Sequence, residues 1–250
     1  MKSGNPTAAL LIIGNEILSG RTPDANLNAV AKKLGAAGIP LKETRVVLDV
    51  EADIVKAIKG LRKRYTYVFT TGGIGPTHDD ITVDAVAAAF GLPVIVHPKA
   101  RKLLVSHFGK ENLTPARLRM ARAPKGASLI ENPVSDVPGI KIENVYMLAG
   151  VPEIMRGMID SVIADLQHGP LMHSVTVSGL VRESVVADDL REIAARYPAV
   201  NIGSYPWVKK EKFGTSLVVR GLSAKTVKQV ASLLMALMKK YGVKPSLRII

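Results

Sequence analysis

The chain has no cysteine among its 250 residues. That excludes a disulfide scaffold, a thiolate zinc site and a cysteine nucleophile, and it suits a reducing cytoplasm, the compartment expected here. Aromatic residues make up only 4% of the chain, so platforms for stacking single-stranded bases are scarce. Long apolar runs are missing too. The stretch AALLII, residues 8–13, falls far short of the about 20 residues needed to span a bilayer, and no basic leader or cleavage pattern accompanies it. No membrane contact is expected. There is no GxSxG elbow, HExxH, Walker A loop, dinucleotide GxGxxG, zinc finger or RNP-type motif.

Acidic residues are few beside basic ones, 21 against 34, for a net charge of +13. Such a balance attracts polyanions or phosphorylated ligands, or simply solvates a surface. The bases are spread along the chain, with modest clusters at LRKRY (61–65) and WVKKEKFG (207–214). With so few aromatics nucleic acid is not the expected partner; a solvated surface accounts for the charge, and a small phosphorylated ligand is expected from the motif below. The hydrophobic share of 47% is ample for a core.

The first 167 residues alternate strand and helix patterns. AALLIIG reads as a buried parallel strand ending in glycine. A helix follows from about Asp24, which can cap it, and Gly38 is placed to end it. TRVVL is a second strand, EADIVKAIKGLRKR a helix, and YVFT a third strand. A helix over 82–90 is followed by LPVIVH as a further strand, then by two helical pieces over 98–123, the second opened by Thr114-Pro115. VPGIKIENVYMLAG predicts a hairpin around Glu143-Asn144, and VPEIMRGMIDSVIADL an amphipathic helix. QHGP, 167–170, marks a boundary between domains at 1–168 and 169–250. Beyond it the order strand-helix-strand-strand-helix predicts a small two-layer α/β unit with an antiparallel sheet.

The stretch VFTTGGIGPTHDDITVDAVAAAFG, 68–91, carries the chemistry. It stands at the carboxyl end of a buried strand, where parallel sheets bind ligands. Gly72, Gly73 and Gly75 permit close approach to the main chain, Pro76 follows in the turn, and the amides of the next helix favour an anion. Thr82 is expected as its N-cap, with Asp84 in the first turn. Asp79 and Asp80 would repel a phosphate unless a hard cation such as magnesium intervenes. His78 beside them is read as solvent-facing. The other turns at this sheet edge offer Asn15, Glu16, Ser19 and Asn26 after strand one, Asp49 after strand two, and Gly150 with Pro152 after a later strand. Taken together they look like a cleft.

IGNEILSGRTPDAN, GGIGPTHDDIT, PGIKIENVYMLAGVPEIM and NIGSYP resemble the molybdopterin-binding domain family. That family includes the MogA and MoaB proteins and, closest to this chain, the N-terminal region of the competence/damage-inducible protein CinA. The last two stretches also resemble eukaryotic FAD synthases. The resemblance implies a three-layer α/β sandwich around a mostly parallel sheet, followed by a small second α/β domain. It implies a pterin-phosphate or nucleotide ligand at the edge just described. In MogA-type enzymes two aspartates are linked to adenylyl transfer in molybdenum cofactor biosynthesis, and they match Asp49 and Asp80. CinA-like members are associated with metal-dependent cleavage of ADP-ribose-type pyrophosphates, with Asp49, Asp79 and Asp80 as candidate ligands of magnesium or cobalt and potassium as a further cation. A homo-oligomer, dimer or trimer, is implied as well.

Two departures stand out. Asn15 occupies a position where CinA-like chains commonly carry aspartate, and the loop around the candidate contact Ser135 reads SDVPGI. The amidohydrolase domain of full-length CinA has no counterpart in the sequence, so deamidation of nicotinamide nucleotide is not expected. A non-catalytic ligand-binding module and a charge-driven nucleic-acid binder are the alternatives from other classes.

Overall fold

The computed structural model describes residues 4–209 and 211–249; Lys210, part of the basic cluster at 207–214, lies outside them. The chain divides into two compact units, one up to Gly169 and one from Pro170.

In the first unit the elements run β1 (Ala8–Ile13), α1 (Asn15–Leu18), α2 (Asn26–Ala36), β2 (Leu41–Val47), α3 (Glu51–Arg64), β3 (Tyr67–Thr71), α4 (Thr82–Phe90), β4 (Val94–Val96), α5 (Pro98–Phe108), α6 (Pro115–Arg119), β5 (Arg122–Pro124), β6 (Ser128–Ile130), β7 (Gly139–Ile142), β8 (Val145–Leu148) and α7 (Pro152–Ile163). The sheet order is β2-β1-β3-β8-β7-β6. The first four strands are parallel, and β8, β7 and β6 are antiparallel in turn.

Every residue of β1 is buried. Its side chains alternate between two cores, as a strand covered on both faces requires. Leu10 and Ile12 meet Val30 and Leu34 of α2 and Met155 and Ile159 of α7. Leu11 and Ile13 meet Ile54, Ile58 and Leu61 of α3 and Val83 and Val86 of α4. Two helical layers thus enclose one mostly parallel sheet, the three-layer α/β sandwich expected.

Two segments depart from the sequence pattern. Val94–Val96 leaves the main sheet and pairs with β5 in a two-stranded antiparallel ribbon. Residues 122–124, expected as helix end, are that partner strand; Arg122 is fixed there by a two-pronged bond to Asp84 at 3.0 and 2.8 Å. The hairpin at Glu143-Asn144 is present, and Glu143 takes the positive φ of 48° that such a tight turn needs.

The second unit runs β9 (His173–Gly179), α8 (Glu183–Arg196), β10 (Asn201–Lys209), β11 (Lys212–Gly221), α9 (Ala224–Lys240) and β12 (Ser246–Ile249). All pairings in its sheet, β10-β11-β9-β12, are antiparallel. The short β12 was not legible in the sequence. With it the order is β-α-β-β-α-β, the split βαβ arrangement. Val175, Val177, Leu217 and Val219 of the sheet pack against Val186 of α8 and Val230 and Leu234 of α9. Among the described residues no helix is long and apolar enough to cross a membrane.

Candidate functional site

β1 lies between β2 and β3, so the chain leaves it to one side and returns on the other. That reversal opens a crevice at the strands' carboxyl ends. A cleft of about 580 Å³ occupies it, lined from the turns after β1, β2, β3 and β8 and from the segment 132–137.

The turn after β3 is built on close approach. Gly72 has φ 97°, and a Cβ there would stand 2.2 Å from the Ile13 carbonyl oxygen of β1. Gly73 has φ 69°, and its Cβ would meet the Thr82 hydroxyl at 2.2 Å. Thr82 is not the N-cap of α4, contrary to the sequence expectation. Ile81 holds that position, and Thr82 is the first helical residue. It is fully buried, its hydroxyl donating to the Gly72 carbonyl at 2.9 Å while its N–H donates to the Gly73 carbonyl at 3.0 Å. Burial at the glycine turn outweighs the local capping preference, and Thr82 locks that turn from beneath.

The acids gather above it. Asp80 accepts the Thr77 N–H at 2.7 Å and shares the Thr77 hydroxyl with Asp79. Its carboxylate lies over Gly75, where a Cβ would come within 2.6 Å of Oδ2. The Thr77 hydroxyl, with a smaller contribution from His78, holds the Asp79 carboxyl below the usual range. Asp49 accepts the Asn15 N–H at 2.9 Å. Burial nevertheless pushes its pKa up, and the charges of Glu16, Asp79 and Asp80 push the same way against the Asn15 bond. Glu16 curls its carboxylate over Gly14.

The structure brings Glu16, Asp49, Gly72, Gly73, Gly75, Pro76, Asp79, Asp80, Ser135 and Gly150 to one cleft. Asn26 and Pro152 line a smaller adjoining hollow of about 90 Å³. Asn26 is 5% exposed; its amide N–H donates to the Gly150 carbonyl at 2.8 Å, and its Oδ1 has no partner among the described residues. Ser19 lines neither, and His78 is 98% exposed.

Sequence reasoning missed Thr77, which ties both aspartates, and Asn132, which holds Ser135 at 2.7 Å and the Val137 carbonyl at 2.7 Å. Pro-Thr-x-Asp-Asp and Asn-Pro are turn signals that could have flagged them. The apolar wall of Met120, Val137, Ile154 and Met158 carries no local signal.

Among the described residues no lysine, arginine or histidine lines the cleft, although the chain carries +13 overall. A cation caged by side chains alone does not fit, because among the described residues no three metal-binding side chains are grouped around one point. The all-oxygen donors do fit a hard ion whose shell is completed by ligand phosphate oxygens.

Fold and cleft together define an α/β domain with a cleft at the carboxyl ends of its parallel strands. The chain belongs to the probable molybdopterin binding domain family, whose model matches residues 9–168. Residues 171–246 match the middle domain of FAD synthase. A protein of Pyrobaculum calidifontis is 37% identical over 213 residues, covering 80% of this chain and 81% of that protein. A probable FAD synthase of Caenorhabditis briggsae is 29% identical, covering 90% of this chain and 48% of its own length. The crystal structure of CinA from Thermoplasma acidophilum superposes with a TM-score of 0.61 at 32% identity, over 64% of this chain and 98% of that one.

Proposed function

We propose that the cleft binds a phosphorylated pterin or nucleotide and, with a divalent ion, hydrolyses a nucleotide pyrophosphate of the ADP-ribose or FAD type. The observation that carries this reading is a cleft with four carboxylates and no basic side chain, set against a glycine turn. Such a site repels a bare phosphate and accepts one that arrives with a cation. Asp79 and Asp80, joined through the Thr77 hydroxyl, would hold that ion, magnesium or cobalt, which supplies charge neutralisation and Lewis acidity.

The chain's own residues do the remainder. Gly72 and Gly73 pack too closely on Ile13 and Thr82 to carry a Cβ, and this close packing sets the turn's main chain at the cleft, where phosphate oxygens would meet it. Met120, Ile154 and Met158 offer an apolar wall for a flat ring. Asp49, more basic than an ordinary aspartate, takes the proton from the attacking water. The water oxygen bonds to phosphorus, the bond to the bridging oxygen breaks, and two phosphate monoesters leave.

Adenylyl transfer to molybdopterin is the second reading, favoured by the family match over 9–168. One experiment separates them. The protein is incubated with ADP-ribose, with FAD, and with ATP plus molybdopterin, each with magnesium or cobalt and with or without potassium, and products are followed by chromatography. Monoester products that vanish in Asp80→Ala support hydrolysis; an adenylylated pterin supports transfer. Tight binding without turnover, independent of metal, would leave a binding module and sink both.

A further inference from the structure

Both helices of the second unit pack on one face of its sheet; the other face holds none of this unit's helices and ranges from the buried Val218 to the exposed Tyr205, Arg220 and Arg248. α8 and α9 pack on the face carrying Val175, Val177, Leu217 and Val219. By the period-2 alternation of a strand, the other face carries Ser178, Ser216, Tyr205 and Trp207, with Arg220 and Arg248 further along.

Both aromatic side chains on this face lie over glycines. A Cβ at Gly214 would sit 2.3, 2.4 and 2.7 Å from three atoms of the Trp207 six-membered ring, so the indole covers Gly214 flat. The indole N–H donates to Ser216 at 3.1 Å, and the Ser216 and Ser178 hydroxyls are bonded at 2.8 Å. Tyr205 turns the hydroxyl end of its ring back over Gly203, with Cε2, Cζ and the hydroxyl oxygen 2.9–3.1 Å from a Cβ built there, and it stays 51% exposed. The glycines leave room for both side chains, and Ser216 fixes the orientation of the indole.

The charge of this unit is mostly basic, although Glu183 shares a hollow with Trp207 and Gly214. Residues 170–250 hold thirteen lysines and arginines against five acids. Four of those acids, Glu183, Asp188, Asp189 and Glu192, are on α8, and the fifth, Glu211, is in the β10–β11 turn. None of the four strands contains an aspartate or glutamate. Lys209, Lys212, Arg220 and Arg248 are exposed, and among the described residues none makes an ion pair.

We propose that this second face binds single-stranded nucleic acid, with two or three bases stacking on Trp207 and Tyr205 and phosphates meeting Lys209, Lys212, Arg220 and Arg248. An exposed phenol ring and a half-buried indole beside cations without ion pairs are what base stacking and backbone neutralisation require. A second copy of the chain would bring a like charge to the same face, which disfavours self-association as its occupant. The inference runs against the whole-chain composition, where scarce aromatics argue against stacking. The average hides that two of them are placed side by side on β10. Nothing in it depends on the cleft of the first unit.

Trp207 is the only tryptophan in the chain, so its emission reports on this face alone. The full protein is titrated with an oligothymidylate of about a dozen nucleotides, its duplex with oligoadenylate, and inorganic polyphosphate. The single strand is expected to quench Trp207 saturably, with log affinity falling linearly against log salt, and the other two to quench weakly. Binding of the labelled oligonucleotide, read by anisotropy, is expected to weaken about tenfold or more in Tyr205→Ala and in the exposed pair Arg220→Glu/Arg248→Glu, whose folding is checked by circular dichroism. Absence of quenching, equal quenching by polyphosphate, or unchanged affinity in the folded double variant overturns the proposal. So does a Trp207 emission that changes with protein concentration alone while the mass in solution doubles.

Discussion

Asn15 and Asp49 exchange hydrogen bonds across the loops that follow β1 and β2. The Asn15 N–H reaches the Asp49 carboxylate at 2.9 Å, and the Asp49 N–H reaches the Asn15 side-chain oxygen at 3.2 Å. The position where CinA-like chains commonly carry aspartate is thus occupied by an amide that positions the neighbouring acid. Asn15→Ala removes one of the two bonds. It is expected to cost about 0.5–1.5 kcal/mol in urea unfolding and to lower turnover of the nucleotide pyrophosphate more than it raises KM. Asn15→Asp keeps the acceptor but adds charge beside Asp49, so the acid limb of the pH–rate profile is expected to move to higher pH.

Asp49 itself links activity to stability. Burial first, then Glu16, Asp79 and Asp80, raise its pKa above the ordinary aspartate value. Below that ordinary value both folded and unfolded chains hold the proton, and the relative stability it gives the folded chain is fully present. As pH rises through the raised value that contribution is lost, because the folded chain keeps an unfavourable carboxylate. Asp49→Asn is therefore expected to melt at or above the wild-type temperature at neutral pH, with the difference closing in acid, while turnover falls about 100-fold or more. Thermal melts across that pH range, paired with the product assay, check both halves.

Glu16→Gln removes one of the charges raising Asp49. The acid limb of the pH–rate profile is then expected to shift to lower pH, with the fold unchanged by circular dichroism. A profile that stays in place would mean Asp49 is not the titrating base.

Gly72 and Gly91 separate strain from collision. Both have positive φ, 97° and 68°, but a Cβ at Gly91 meets open space and one at Gly72 meets the Ile13 carbonyl oxygen at 2.2 Å. Gly91→Ala is expected to cost about 1–2 kcal/mol from conformation alone. Gly72→Ala adds a clash with an immobile strand and is expected to cost about 3 kcal/mol or more, with loss of ligand binding in calorimetry.

Thr82 offers a test of the turn's underside. Thr82→Val keeps the shape and strips the Gly72 carbonyl of its hydroxyl partner, an expected loss of about 1–3 kcal/mol in chemical denaturation. Thr82→Ser keeps that bond and is expected to lose about 1 kcal/mol, with ligand affinity close to wild type.

The sequence made the long elements readable because their apolar spacing runs over many residues. α3 and α4 span the residues that the pattern indicates, 51–64 and 82–90, and Thr114 caps α6 with Pro115 behind it. β5, β6 and β12 are three or four residues long, too short for a period to show, and each is defined by the strand it pairs with. At the cleft, the glycines and acids were legible as residue types in a strand-turn-helix context. Thr82 was misplaced because a threonine before a helix has two uses, capping or packing, and only the approach of Gly73 decides between them. Thr77 and Asn132 act through bonds to residues two to five positions away, which turn chemistry suggests but composition hides.

The complete burial of β1 between two parallel partners has a bearing on how such a cleft diversifies. Its floor is main chain that cannot slide without tearing both cores. Adaptation to a larger or smaller guest therefore falls to the rim, where the 132–137 arch and the stretch from Glu16 to Thr22 hang from few buried anchors. Exchange of those two segments between relatives would change selectivity while leaving the glycine-turn floor as it is.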